Sequence, residues 1–172
     1  MEIWDAYDSN GKKQSMELLR GESIPPGSYH LVSEVVILNK GTHYLAMQRD
    51  TRKTYPGLYE ISAGGSVLKG ETSREGAVRE AGEETGIHIE DMELKYITVS
   101  EAQQTIYHCY KADVDVEKEA VQLQDGETMG YQWIERAAVE SFLNSSSHVP
   151  GYNQRVMNVI GGEVDHSHKT CN

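Results

Sequence analysis

At 172 residues, with 38% hydrophobic and 25% charged side chains, the chain has the make-up of one soluble globular domain with room for a real core. Its 16 Lys and Arg against 27 Asp and Glu leave a net charge of −11, which excludes a basic nucleic-acid or anionic-membrane binding surface and means that an anionic substrate needs a bridging cation. Cys109 and Cys171 make no disulfide framework, MEIWDAYDSN lacks the basic flank and apolar stretch of a signal peptide, and no apolar run approaches the ~20 residues of a membrane helix, so a reducing cytoplasm is expected.

Residues 2–20 predict a β-hairpin: EIWDAYD alternates apolar and polar, Ser9-Asn10-Gly11 turns, and KQSMELL returns. Trp4 is expected to be a packing residue, although the hairpin with Trp4 to spare leaves a homodimer open. GESIPPGSY is a connector stiffened by Pro25 and Pro26. HLVSEVVILNK, the most apolar stretch, predicts a central strand, and Asn39-Lys40-Gly41 turns it into an antiparallel partner, HYLAMQR. Arg49, Arg52 and Lys53 then form a basic island in an acidic chain. It reads either as a solvated loop or as a substrate-phosphate site, with Arg49 as a planar fork and Lys53 as a point charge. LYEISAGG predicts one short strand that delivers Gly64 and Gly65.

Residues 71–85 predict a helix with hydroxyls and an acid at its start and Gly86 as its left-handed end, Ile87 following as the hydrophobic contact. Ala77, Val78 and Ala81 make its apolar side, while Gly76 and Gly82 each cost about 1 kcal/mol of helix propensity. Glu80, Glu83 and Glu84 project from one turn, where like charges repel. A hard dication such as Mg²⁺ or Mn²⁺ would turn that repulsion into attraction, and phosphate chemistry is the common use of such a site. MELKYITVSEAQQ and TIYHCYKADVDV predict successive strands, VEKEAVQLQDGE a charged connection, and GYQWIE a last strand. A short helix at 136–143 and a C-terminal helix with Val156, Val159 and Ile160 on its apolar side complete an α+β chain. Residues 1–165 are expected as a single domain and 166–172 as a flexible tail.

The stretch GSVLKGETSREGAVREAGEETGI resembles the Nudix box. Gly65, Glu71, Arg79, Glu80, Glu83, Glu84, Gly86 and Ile87 match its spacing without a gap, and Ala81 replaces the usual larger aliphatic. Seven fixed positions at roughly 5–10% each would coincide about once in 10⁸ windows by chance. The resemblance implies the Nudix fold, an α/β/α sandwich with a mixed central sheet, here preceded by the hairpin. It implies Glu80, Glu83 and Glu84, with the carbonyl of Gly64, as ligands of Mg²⁺ or Mn²⁺. Gly65, Glu71, Arg79 and Gly86 are implied as structural box residues, Arg79 pairing with Glu71. The general base is left among Glu127, Glu101 and Glu83.

Outside the box, WDAYDSNG, PGSYHLV, MQRDTRKTYPGLYEISAGG and ETMGYQWI resemble the isopentenyl-diphosphate isomerase-like branch. The strand before the box lacks the isomerase cysteine, although His30 sits where the isomerases have a metal-binding histidine. Ala102 stands where a proline marks ADP-ribose hydrolases, Tyr107 falls late for the dinucleoside-polyphosphate marker, and the coenzyme A signature is absent. The expected activity is hydrolysis of a diphosphate linkage in a nucleoside diphosphate joined to another moiety, with no nucleic-acid or membrane partner. The alternatives are an isomerase-like enzyme and a non-catalytic nucleotide-binding module.

Overall fold

The computed structural model describes residues 1–161, so the expected boundary at 165 and the tail at 166–172 lie outside the described residues. The strands are β1 (Ile3–Tyr7), β2 (Lys13–Leu19), β3 (His30–Asn39), β4 (His43–Arg49), β5 (Tyr59–Glu60), β6 (Ala63–Ser66), β7 (Glu93–Ser100), β8 (Thr105–Val114) and β9 (Thr128–Glu135). The helices are α1 (Ser73–Thr85), α2 (Val139–Leu143) and α3 (Asn153–Ile160).

Strand β3 is the axis of a seven-stranded mixed sheet and is nearly continuous in apolar residues because both of its faces are covered. Val35 and Ile37 pack with Ala77 and Ala81 of α1 on one face. Val36 and Leu38 pack with Val139 and Leu143 of α2 and Val156 and Val159 of α3 on the other. This alternation makes the three layers, and each such buried aliphatic contributes about 1.5–3 kcal/mol.

The sheet forks. Strand β3 runs parallel to β8 along its whole length, His30↔Thr105 to Asn39↔Val114, but meets β4 only at Leu38↔Tyr44 and Asn39↔His43. Beyond that point β6 takes the free edge of β3, while β5 and β9 take the two edges of β4. The stretch LYEISAGG is therefore two strands rather than the one expected. The chain crosses the fork at Ile61 and Ser62, because the backbone groups of both separating edges need partners. The gap it crosses becomes the cleft described below.

Helix α1 begins with a capping box: Thr72 accepts from the Glu75 N–H at 3.2 Å, and the Glu75 carboxylate accepts from the Thr72 N–H at 2.7 Å. It ends at Gly86, whose φ of 70° is left-handed and whose N–H bonds the Gly82 carbonyl. Propensity alone misjudges Gly76, since a Cβ there would stand 3.0 Å from Val67 Cγ2. Gly82 faces open space.

The β1–β2 hairpin docks on the start of β3 through a Tyr7↔Tyr29 bridge. Trp4, 8% exposed, stacks on His30 at 4.7 Å and packs among Leu18, Ile24 and Leu68, the packing role expected of it.

Candidate active site

Helix α1 lies against β6, and the contact is glycine-dependent. A Cβ on Gly65 would stand 2.6 Å from the Glu80 carboxylate of the helix, while one on Gly64 would stand 2.2 Å from the Ser33 carbonyl oxygen of the neighbouring strand β3. This close approach lets the Gly64 N–H reach Glu84 Oε2 at 3.1 Å. Arg79 grips Glu71 with two bonds of 2.8 and 2.9 Å, Glu80 Oε1 at 2.6 Å and the Ser66 carbonyl at 3.0 Å. That pairing draws Glu71 below the ordinary carboxylate range. Glu83 is the outermost of the three box glutamates, its side chain 48% exposed and 3.8 Å from Arg79.

Burial at the cleft floor, followed by the charges of Glu60, Glu80 and Glu127, pushes Glu84 up to about pKa 8 against the single N–H of Gly64. Burial also raises Glu80, with Arg79 opposing. Across the cleft, Lys53 pairs with Glu127 and Arg49 with Glu60. A bulge in the β4–β9 ladder between Gln48 and Arg49 sets Arg49 opposite Thr128, and both residues line the cleft. Deeper in, Arg155 forms a bidentate pair with Glu34 at 2.7 and 2.9 Å. Its guanidinium lies 4.1 Å from the Tyr107 ring centre and 4.5 Å from that of Tyr152.

These walls enclose three joined cavities. A central one of about 200 Å³ shares Lys53, Gly64, Glu84 and Glu127 with a box-side cavity of about 290 Å³. The central cavity also shares Arg49, Tyr107 and Tyr152 with an outer one of about 730 Å³. Glu101 is exposed, accepts from the Tyr29 hydroxyl and lines none of the three. His30 faces Trp4, with Nδ1 3.2 Å from the Gln104 carbonyl, and is a packing residue here.

The sequence reading did not single out Glu34, Glu60, Tyr152 or Arg155. A carboxylate inside the most apolar strand was the available signal for Glu34. Glu60 carried a similar signal, beside Ile61 and just ahead of the glycine pair.

The donors suit a hard dication. On the box side the carboxylates of Glu2, Glu80, Glu83, Glu84 and Glu127 outnumber Arg20, Lys53 and Arg79 by two formal charges, which one dication would cancel. Among the described residues no three acidic, histidine or cysteine side chains are already gathered at ligand spacing, and Arg79 holds one oxygen of Glu80.

A family profile described as the NUDIX domain matches residues 28–154. The chain belongs to the Nudix family. An uncharacterized Nudix hydrolase of Listeria innocua, lin0387, is 33% identical over 153 residues, spanning 87% of this chain and 89% of that protein. The solved structure of DR0079 from Deinococcus radiodurans, 18% identical, covers 92% of this chain and 99% of its own at a TM-score of 0.74. The Nudix domain of NrtR from Shewanella oneidensis, solved with ADP-ribose, is 18% identical and covers 74% of this chain and 86% of its own at a TM-score of 0.57. At those identities the structural likenesses establish the Nudix fold, with its sheet sandwiched between helices and, in this chain, the added antiparallel hairpin.

Proposed function

We propose that this Nudix protein is a Mg²⁺- or Mn²⁺-dependent hydrolase of the diphosphate linkage in a nucleoside diphosphate joined to a second moiety. The observation that carries the reading is Glu84: a carboxylate at the cleft floor, surrounded by others and held by one N–H. Glu80, Glu83 and Glu84, with the Gly64 carbonyl, would hold the ion. When bound, the ion supplies neutralisation of phosphoryl oxygens and acidification of water.

The chain's own residues do the rest. Arg79 fixes Glu71 and Glu80 relative to the loop. Lys53 and Arg49 turn from Glu127 and Glu60 onto the diphosphate oxygens, which frees Glu127. Glu127 then takes the proton of the attacking water as the new O–P bond forms and the bridging P–O bond breaks, with Glu83 as the other candidate base. The organic part extends past Tyr107 and Tyr152 into the outer cavity, whose lining of Thr98, Ser100, Gln103 and Gln154 offers neutral donors and acceptors. ADP-ribose, present with the NrtR domain, belongs to this chemical class.

An isomerase reading needs a thiol facing the cleft. Cys109 is 1% exposed behind Glu34, and burial raises its pKa. The cytoplasm, where nucleotide substrates are found, is the proposed setting, and no helix among the described residues is long and apolar enough to cross a membrane.

Incubation with Mg²⁺ and a panel of nucleotide sugars and dinucleotides in ¹⁸O-water should release a monophosphate carrying the label. Silence across the panel with tight nucleotide binding would favour a binding module, and isoprenoid proton exchange would favour the isomerase.

A further inference from the structure

The N-terminal hairpin lies outside the span matched to the Nudix family, residues 28–154, yet it forms one wall of the cleft. Glu2, just before β1, and Arg20, just after β2, line the box-side cavity together with Glu80 and Glu83. The hairpin is held there firmly. Asp5 accepts from the Gly70 N–H at 2.9 Å and from Lys13 at 2.6 Å, and the Lys69 N–H reaches the Ile3 carbonyl at 2.8 Å. Lys69 also pairs with Glu17 at 2.5 Å. The loop leading into α1 and the hairpin therefore form one unit, and a residue at the end of β2 has a defined place over the cleft.

Three cations line this cavity, and they differ in what is left to bind a ligand. The guanidinium of Arg79 already makes four bonds, to Glu71 twice, to Glu80 and to Ser66. Lys53, paired with Glu127, is the cation already assigned to the diphosphate oxygens above. Among the described residues, Arg20 has only Glu2 as a side-chain partner, through one terminal nitrogen, and its side chain is 60% exposed. Its other N–H donors are free to turn to a ligand. An exposed ion pair of this kind has little energy of its own and is readily exchanged for a better acceptor. A phosphoryl group is such an acceptor, since it takes two parallel N–H bonds from one guanidinium.

We infer that Arg20 is a substrate-binding residue supplied by the hairpin, which takes the outer oxygens of the phosphoryl group on the box side of the scissile bond, with Glu2 as its resting partner. The assignment rests on the diphosphate reading above. It completes an orientation for the substrate: the organic part lies toward Tyr107 and Tyr152, the bridging oxygen near Glu84, and the second phosphoryl group lies under Arg20.

The test uses methylenediphosphonate, whose P–C–P bridge cannot be hydrolysed, with Mg²⁺ in a calorimeter and the full chain. Arg20→Gln should weaken binding about tenfold, the usual loss for a charge-assisted hydrogen bond. Glu2→Gln, which removes the competing carboxylate, should bind at least as tightly as the parent. Arg20 is exposed and Glu2 half-buried, its other oxygen accepting from the Trp4 indole N–H at 3.4 Å. The amide oxygen of Gln can keep that bond, so thermal midpoints within about 2 °C of the parent are expected and would show that the fold is unaffected. Parental affinity in Arg20→Gln, with the parent binding normally, would overturn the role of Arg20 and leave the diphosphate reading in place. No binding by the parent would overturn both.

Discussion

Replacing Glu84 by Gln removes one ionisable group and almost no volume, so it isolates the electrostatics of the cleft floor. The amide keeps an oxygen for the Gly64 N–H, now at 3.1 Å, and removes the charge that Glu60, Glu80 and Glu127 oppose. A carboxyl with a folded pKa of about 8 against an ordinary 4.5 holds its proton more tightly in the folded state. Stability is therefore fully present below pH 4.5 and is lost as the pH rises toward 8. Integrated to pH 7, the loss is at most about 3 kcal/mol, and about 1 kcal/mol once cleft water screens the charges. In EDTA at pH 7–8 the Glu84→Gln variant should thus unfold about 2–4 °C above the parent, with the difference vanishing near pH 4.5. Mg²⁺ should raise the midpoint of the parent and not that of the variant. Turnover should fall by about 10²-fold or more. Thermal unfolding with and without Mg²⁺, alongside a phosphate-release assay, reads all three effects. A variant less stable than the metal-free parent at pH 8, or one with near-parental turnover, would refute the reasoning.

Two further contrasts test the packing around the site. Gly82→Ala should stabilise the protein by up to about 1 kcal/mol in denaturant unfolding, because its Cβ would meet nothing within 4 Å. Gly65→Ala, whose Cβ would stand 2.6 Å from the Glu80 carboxylate, should lose most activity and destabilise; equal behaviour of the two variants would count against the helix–strand contact. Arg155→Ala leaves Glu34 without its cation and should cost about 3 kcal/mol. Arg155→Lys should recover only part of that, since a point charge replaces a stacked bidentate fork.

Helix α1 was legible before any coordinate because its determinants are local. Its cap residues, its small apolar face and its acidic turn lie within a few residues of one another, and neighbours at i+3 and i+4 follow from helix geometry alone. The hairpin and the central strand β3 were legible from alternation and from an apolar run broken only at Ser33 and Glu34. Local preference misled at Gly76, where the packing of Val67 needs the missing side chain, and at LYEISAGG, which reads as one strand and serves two.

By itself, the order of residues determined the α+β class, the box helix and the presence of clustered carboxylates, because those depend on spacing along one element. Only the tertiary structure decided which charges face one another. The fork between β3 and β4 gathers Glu34, Glu60, Glu84 and Glu127 from four separate segments. It also sets Arg49, Lys53 and Arg155 against specific partners. It brings Arg20 of the hairpin to the same cleft. Such pairings join residues up to 121 positions apart, and no periodicity in a linear chain encodes them, since they exist only once strands from distant segments share a sheet.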